Sequence, residues 1–372
     1  MQGEMVTRMR TAGRTHRKPR MASMAQLRGM LLEEVVLALL RKSGFDPIEN
    51  PGNDRTLSMG PAGLRVQGRG STHQADALAD FRIVMPFGNP TRLIVEAKFL
   101  DHNKTGLGVI RNAVGVRKDI EEFFVPSTSP EVPPRVRFHY QYAVFSATDF
   151  TLNAQRYAYA HDVYLFPLAR SRHMRGIVDI IRSLEPAHSP SVSNAAVPVD
   201  LGALRRRVRK ALRDGVLFDL EALLVDYHDL RRIISALIDA TWSLGGTLLA
   251  RANRQFPLHL VPTSQQALRK ASKAASTRVR IFYDESSWYL RHAHTNEDLF
   301  SFDLPEELFS LYANSGALTA RAALDLKERE LSRIEALYSD DESTRYLTFV
   351  LDQPWLDEVR QAIEGRRKSR RA

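Results

Sequence analysis

The strongest constraint on the fold comes from two short segments twenty residues apart, HQADALADF (73–81) and LIVEAKF (93–99). Side chains alternate across a strand, so Leu93, Val95, Ala97 and Phe99 share one face, while Ile94, Glu96 and Lys98 share the other. The first face can pack entirely, and the second brings out a carboxylate and an ammonium together near the strand end. Either the two charges pair on an exposed sheet face, or a ligand between them needs both. If HQADALADF lies antiparallel beside LIVEAKF, Asp76 comes next to Glu96; with GNPTR (88–92) as the turn, the arms are unequal and a bulge or bend is expected. Asp80 is the rival acid on the same segment.

Two carboxylates and the backbone carbonyl of Ala97, between Glu96 and Lys98, would make an all-oxygen site suited to Mg²⁺, with Mn²⁺ able to substitute. A lysine beside it can hold or deprotonate water and offset charge building on a phosphate. The acid-x-Lys triplet alone has little specificity. Asp325-Leu326-Lys327 repeats it within DLKERELSRIEAL, where solvated i,i+4 pairs on a charged helix account for it.

The flanking pattern reads α-β-β-β-α-β-α-β. An amphipathic helix runs from Gln26 and stops at Gly44, with Leu32, Val35, Val36, Leu39 and Leu40 as its apolar stripe. On that wheel Glu33 sits at the stripe margin and Glu34 faces solvent. LRVQGRG, ADALADF and LIVEAKF follow as strands, GLGVIRNAVGVRKDIEEFF as a helix, YQYAVFSA as a strand, TLNAQRYAYAHD as a helix and VYLFPL as a strand. Helices alternating with strands around a mixed sheet define an α/β class.

In this order of elements, with GRGSTHQAD followed by VEAK, residues 26–168 resemble the PD-(D/E)xK restriction-endonuclease-like superfamily, and within it the Mrr-like branch. The resemblance implies a restriction-endonuclease-like mixed sheet flanked by helices and a Mg²⁺-dependent endodeoxyribonuclease, acting in bacterial restriction or defence against foreign DNA. It assigns Asp76 and Glu96 as metal ligands, Lys98 as the catalytic lysine and Glu33 as the supporting acid of the first helix. His73 and Gln74 are candidates for orienting water or touching the phosphate, or for simple loop hydrogen bonds. Glu96 departs from the glutamine common in that branch and favours metal binding. The contrasting expectation is a DNA-binding or assembly subunit whose nuclease fold is vestigial or conditionally active.

The chain has 372 residues and a net charge of +10, a length that favours two domains. The charge is concentrated at the ends: residues 1–20 carry six basic residues against Glu4, and 365–372 five basic residues and no acid. Residues 1–24 and 365–372 are therefore expected to be basic tails, disordered in the first case, that either attract a polyanion through counterion release or simply solubilise the ends; charge alone does not decide between the two. The intervening domains are expected at 25–185 and 201–364, joined by the Pro/Ser-rich linker 186–200. The second would be α+β, for recognition or assembly, with a helix over 317–338, strands at 278–283, 287–291, 299–303 and 345–351, and a last helix at 355–365. LGALRRRVRKALRDG gives it a basic helix whose Arg205, Arg206, Arg207, Arg209 and Lys210, with Arg69, are candidate DNA-backbone contacts; a solvated helix face or an acidic protein partner is the other reading. Cutting both strands with one site per subunit calls for a homodimer, and other defence-system subunits are candidate partners. No membrane span or signal peptide is legible, and no cysteine is present, which points to a cytoplasmic protein.

Overall fold

The structure, a computed structural model, describes residues 21–60, 63–84, 86–123, 137–184, 196–216, 228–253, 257–284, 287–304, 320–340 and 343–369. It is a mixed α/β protein built on two main sheets. The basic segment 1–20, residues 186–195 of the expected linker and the last three residues lie outside the described residues. Among the described residues, no helix is long and apolar enough to cross a membrane.

Chain entry differs from a disordered tail. Met21–Ser23 forms strand β1 and pairs antiparallel with β10, Ala196–Pro198, at the end of the expected linker. Ser23 then caps helix α1 (Met24–Lys42) in a capping box with Gln26, satisfying two amides that the helix start leaves open. Beyond the helix, Gly44 has φ +85°, and a Cβ there would meet the Leu337 side chain at 2.3 Å. Glycine is required on both counts.

The first sheet has five strands in the order β2 (Phe45–Pro47), β6 (Ala77–Phe81), β7 (Thr91–Lys98), β8 (His139–Ser146), β9 (Val163–Pro167). β2, β6 and β7 are antiparallel, and β7, β8 and β9 are parallel. The parallel steps need crossovers, supplied by α2 (Leu107–Glu121) and α3 (Leu152–Ala160). Alternation along β7 divides two cores. Leu93, Val95 and Ala97 pack with α1 and its neighbours, whereas Ile94 packs with α2 and α3. One topological expectation is corrected. LRVQGRG does not join this sheet: Gly63–Gln67 (β4) pairs instead with β3 (Leu57–Gly60) and β5 (Thr72–Gln74) in a separate small sheet.

The break between cores also falls later than the expected linker. Helices α5 (Leu201–Asp214) and α6 (His228–Ser243), with α4 (Arg172–Arg182), bury Leu204, Val208, Ile234 and Leu237 in the same core as α1, which extends to Leu244. After Leu244 a seven-stranded closed barrel begins, in the order β11 (Leu248–Ala252), β12 (Pro257–Pro262), β15 (Asp298–Phe302), β14 (Ser287–His292), β13 (Ser276–Asp284), β17 (Thr344–Leu351), β16 (Arg333–Ser339). Trp288, Phe300, Phe302 and Phe349 fill it. Helix α7 (Gln265–Ser272) packs against it. The expected long helix is shorter, α8 (Ala320–Leu331), and its last part is strand β16. Helix α9 (Gln353–Ser369) continues into the segment expected as a basic tail.

Candidate active site

The β6–β7 register places Ala77 against Val95 and Leu78 against Ile94. One step further, Asp76 stands opposite Glu96 without a bulge. The connection is longer than GNPTR and takes up residues 82–90, so the arms are equal. Asp76 Oδ2 accepts a hydrogen bond from Ala97 N at 2.9 Å, in place of the β6 backbone, whose strand has ended. A strand residue sends its N–H and C=O out on the same side, so the Ala97 carbonyl also faces Asp76.

Glu96 and Lys98 do pair, with Lys98 Nζ 2.7 Å from Glu96 Oε1. Tyr142, on the same face of β8, donates to Glu96 Oε2 at 3.1 Å. Sequence reasoning passed over Tyr142, although the parity of YQYAVFSA puts it on that face. Both Glu96 oxygens are thus fixed, and the acid and lysine project from a half-buried strand end.

Glu33 approaches from α1, and its Oε2 lies 2.6 Å from Arg205 Nη2 on α5. Burial pushes the Glu33 carboxyl up to about 7; Arg205 pulls it down, while Asp76 and Glu34 push it further up. Burial also raises Asp76, against the Ala97 amide and Lys98, with Glu96 adding to the rise. For Lys98, burial alone would lower the ammonium, but the bond to Glu96 and the charges of Asp76 and Glu33 outweigh it and leave it raised. Acids pushed up beside a firmly charged lysine show one electrostatically coupled cluster, a common signature of functional sites.

The donor set is all oxygen and fits a hard divalent ion through Asp76, Glu96 and the Ala97 carbonyl. Among the described residues, no group of three or more His, Cys, Asp or Glu side chains is placed to hold a metal ion. Glu33 therefore does not complete a three-carboxylate cage. Two carboxylates with water and substrate oxygens are the usual protein share of a Mg²⁺ site.

Several candidates go elsewhere. His73 Nε2 lies 2.6 Å from Asp119 Oδ2 on α2, and the Gly70 and Ser71 amides donate to the same carboxylate. This is the loop hydrogen bond, and it explains Gly68: a Cβ there would meet Asp119 at 2.1 Å. Gln74 is exposed on β5. Arg69 pairs with Glu122 at 3.2 Å. Asp80, the rival of Asp76, stands opposite Arg92 and accepts from it at 2.7 Å, four residues along the strand from Glu96. The largest correction concerns the basic helix. Arg205 is taken by Glu33, and Arg209 grips Glu34 through Nε at 2.7 Å and Nη2 at 2.8 Å; neither is presented to a DNA backbone. Glu34, expected in solvent, is 1% exposed because α5 covers that face of α1. Arg206 and Lys210 remain exposed, and Arg207 is half-buried.

No family model matches the chain, and no curated protein matches it. Among solved structures, one described as a protein of unknown function, AF1548, aligns with 20% identity over 58% of this chain and 98% of that one, with a TM-score of 0.33.

Proposed function

We propose that this chain is a metal-dependent endodeoxyribonuclease of the PD-(D/E)xK restriction-endonuclease-like type, Mrr-like in its motifs, that hydrolyses foreign DNA. The observation that carries the reading is the meeting of Asp76, Glu96 and Lys98 at the end of β7, reached from two strands by register alone. Asp76, Glu96 and the Ala97 carbonyl are the groups that would hold Mg²⁺ or Mn²⁺, which acidifies water and draws charge from a phosphate. Lys98, held protonated by its acidic neighbours, is suited to stabilising charge on the phosphate rather than to taking a proton from water. Glu33, titrating near neutrality, is the group suited to carrying a proton near the site. Tyr142 fixes the Glu96 carboxylate.

A second reading, a DNA-binding or assembly subunit, is favoured by the ion pairs that close Lys98 on Glu96 and Arg205 on Glu33. One assay separates the two. Supercoiled plasmid is incubated with the full chain in Mg²⁺ or Mn²⁺, and methylated, unmethylated and modified DNA are compared. The nuclease reading expects nicking that falls by roughly a hundredfold or more in Asp76→Ala and Lys98→Ala, with DNA binding retained. Near wild-type cleavage by either variant rejects the site. DNA binding without nicking in either metal establishes the second reading.

A further inference from the structure

The small sheet β3–β4–β5 has one face inside the protein and one outside. Leu57, Leu64, Val66 and Ala75 are buried in the core shared with α2 and α3. His73, on that inner face, bonds to the Asp119 carboxylate of α2. The turn after β4 adds three amides to the same residue: Arg69 N donates to its carbonyl, and Gly70 N and Ser71 N to its carboxylate. The sheet is thereby pinned to α2. The outer face carries Ser58, Arg65 and Gln74 in one row across the three strands, and Gln67 opposite Thr72 in the next. Ser58, Arg65, Thr72 and Gln74 are exposed. Arg65 lies across Gly60, where a Cβ would meet its Nε at 2.5 Å, so the glycine leaves room for the guanidinium along the face. Thr72 donates to Gln67 at 2.9 Å. Ser58, Arg65 and Gln74 have no side-chain partner among the described residues.

Two features say what this face meets. The first is its continuity with the Asp76 cluster. The β4–β5 ladder persists to Ala75, whose N–H donates to Leu64 O at 3.0 Å, and the register then sets Asp76 opposite Gly63. A Cβ on Gly63 would lie 3.9 Å from Arg205, the partner of Glu33. The Arg65–Gln74 row is the next one along, about 7 Å from Asp76, close to the rise of two nucleotides. The second feature is chemical. Residues 55–75 hold Arg55, Arg65 and Arg69 and no acid, and Asp54, just before them, is taken by Arg92. The outer rows present Ser, Arg, Gln and Thr with no apolar side chain. A protein partner calls for an apolar centre, whereas DNA calls for donors and positive charge. A β-ribbon fits the major groove, where Arg pairs in bidentate fashion with guanine and Gln with adenine.

We propose that the outer face of β3–β5 reads base edges in the DNA major groove beside the Asp76 cluster, with Arg65 and Gln74 as the base-contacting side chains. The proposal rests on DNA being the substrate of that site, and does not depend on hydrolysis.

The test keeps the full chain in EDTA, so that nothing is cut, and equilibrates it with a duplex pool randomised in sequence. The bound fraction is sequenced, and affinity for the unselected pool is measured across a salt series. Wild type should enrich particular bases at one or two positions. Gln74→Ala and Arg65→Lys should each lower that enrichment roughly tenfold at a position of its own, and Arg65→Lys should keep the affinity for the unselected pool, because it retains the charge and loses the planar fork. Absence of DNA binding, absence of enrichment in wild type, or enrichment that both variants preserve overturns the proposal. So does a uniform loss of affinity with unchanged preference, which would make the face a phosphate contact alone. Plasmid nicking that depends on Asp76 together with any of these results leaves the nuclease reading standing, and relaxed preference without nicking leaves the groove-reading face standing.

Discussion

Glu33 and Glu34 are adjacent on one helix and are held in different ways. Glu34 is deeper but has the Arg209 guanidinium on both oxygens, whereas Glu33 has Arg205 on one oxygen and the charges of Asp76 and Glu34 nearby. For Glu33, burial therefore wins, and its pKa rises from 4.5 to about 7. Between those values the folded chain binds a proton that the unfolded chain releases, so stability falls as pH rises. The contribution is fully present below about 4.5 and lost above about 7, a total of about 3 kcal/mol. Urea unfolding of wild type and Glu33→Gln in EDTA should therefore show stabilities that diverge from pH 5 to pH 8, with the variant gaining. Parallel profiles would remove Glu33 as the titrating group. Glu96 and Lys98 were legible in the sequence because strand parity fixes the face of each residue without knowledge of the rest of the fold; parity gives Asp76 and Asp80 the same face, and the preference for Asp76 came from the HQ-x-D resemblance. The Arg205 partner of Glu33 was not legible, because it comes from a helix about 170 residues away, whose position no local pattern encodes.

At the scale of elements, helix α5 shows why a basic stripe does not establish a DNA-binding face. Its Leu204, Val208 and Leu212 are buried, as its periodicity indicates, but Arg205 and Arg209 flank that stripe and point at α1. The helical wheel of α1 assumed one buried face, whereas the sheet lies on one side and α5 on the other, so Glu34 became internal. Breaking such a pair leaves Glu34 with only the longer Arg205 Nε contact at 3.8 Å, and a buried carboxylate stripped of its main partner costs up to about 3–5 kcal/mol, while replacing both partners by apolar groups restores most of it. Arg209→Met should lower stability by up to that amount, and Glu34→Leu with Arg209→Met should recover the greater part. A double variant no better than the single one would mean that the ion pair itself holds the helices together. Strand β16 marks another limit of local reading. RIEALYS follows a helix without a break in helix-forming residues, yet pairing with β11 and β17 makes it a strand, so tertiary pairing overrides propensity.

The whole molecule is divided by its cores rather than by its linker composition. Barrel closure was not legible, since it depends on β16 returning to β11 and on the parallel pairing of β13 with β17, contacts that span most of the C-terminal half. The sheet unit, by contrast, completes its core only at Leu244. A chain ending at residue 200 keeps every strand of the five-stranded sheet but loses α5 and α6. That strips the cover from Leu31, Val35 and their neighbours on α1 and leaves Glu34 without Arg209. A chain ending at 246 loses what docks from the barrel, including Leu337 over Gly44, Tyr346 beside Phe81 at 6.0 Å, Leu249 against the first core, Asp303 on the Arg172 amide at 3.0 Å, Ser301 on His173 at 3.1 Å, and Ser339 on Arg82. These contacts mix apolar and polar groups, the character of an interface between domains, and the two buried cores stay separate clusters. Residues 21–246 should therefore unfold cooperatively in a thermal circular-dichroism melt, at a lower midpoint than the full chain, and residues 21–200 should show no cooperative transition. If 21–200 melts cooperatively, or 21–246 does not, the division of the molecule after Leu244 is wrong, and the placement of Arg205 beside Glu33 loses its structural basis with it.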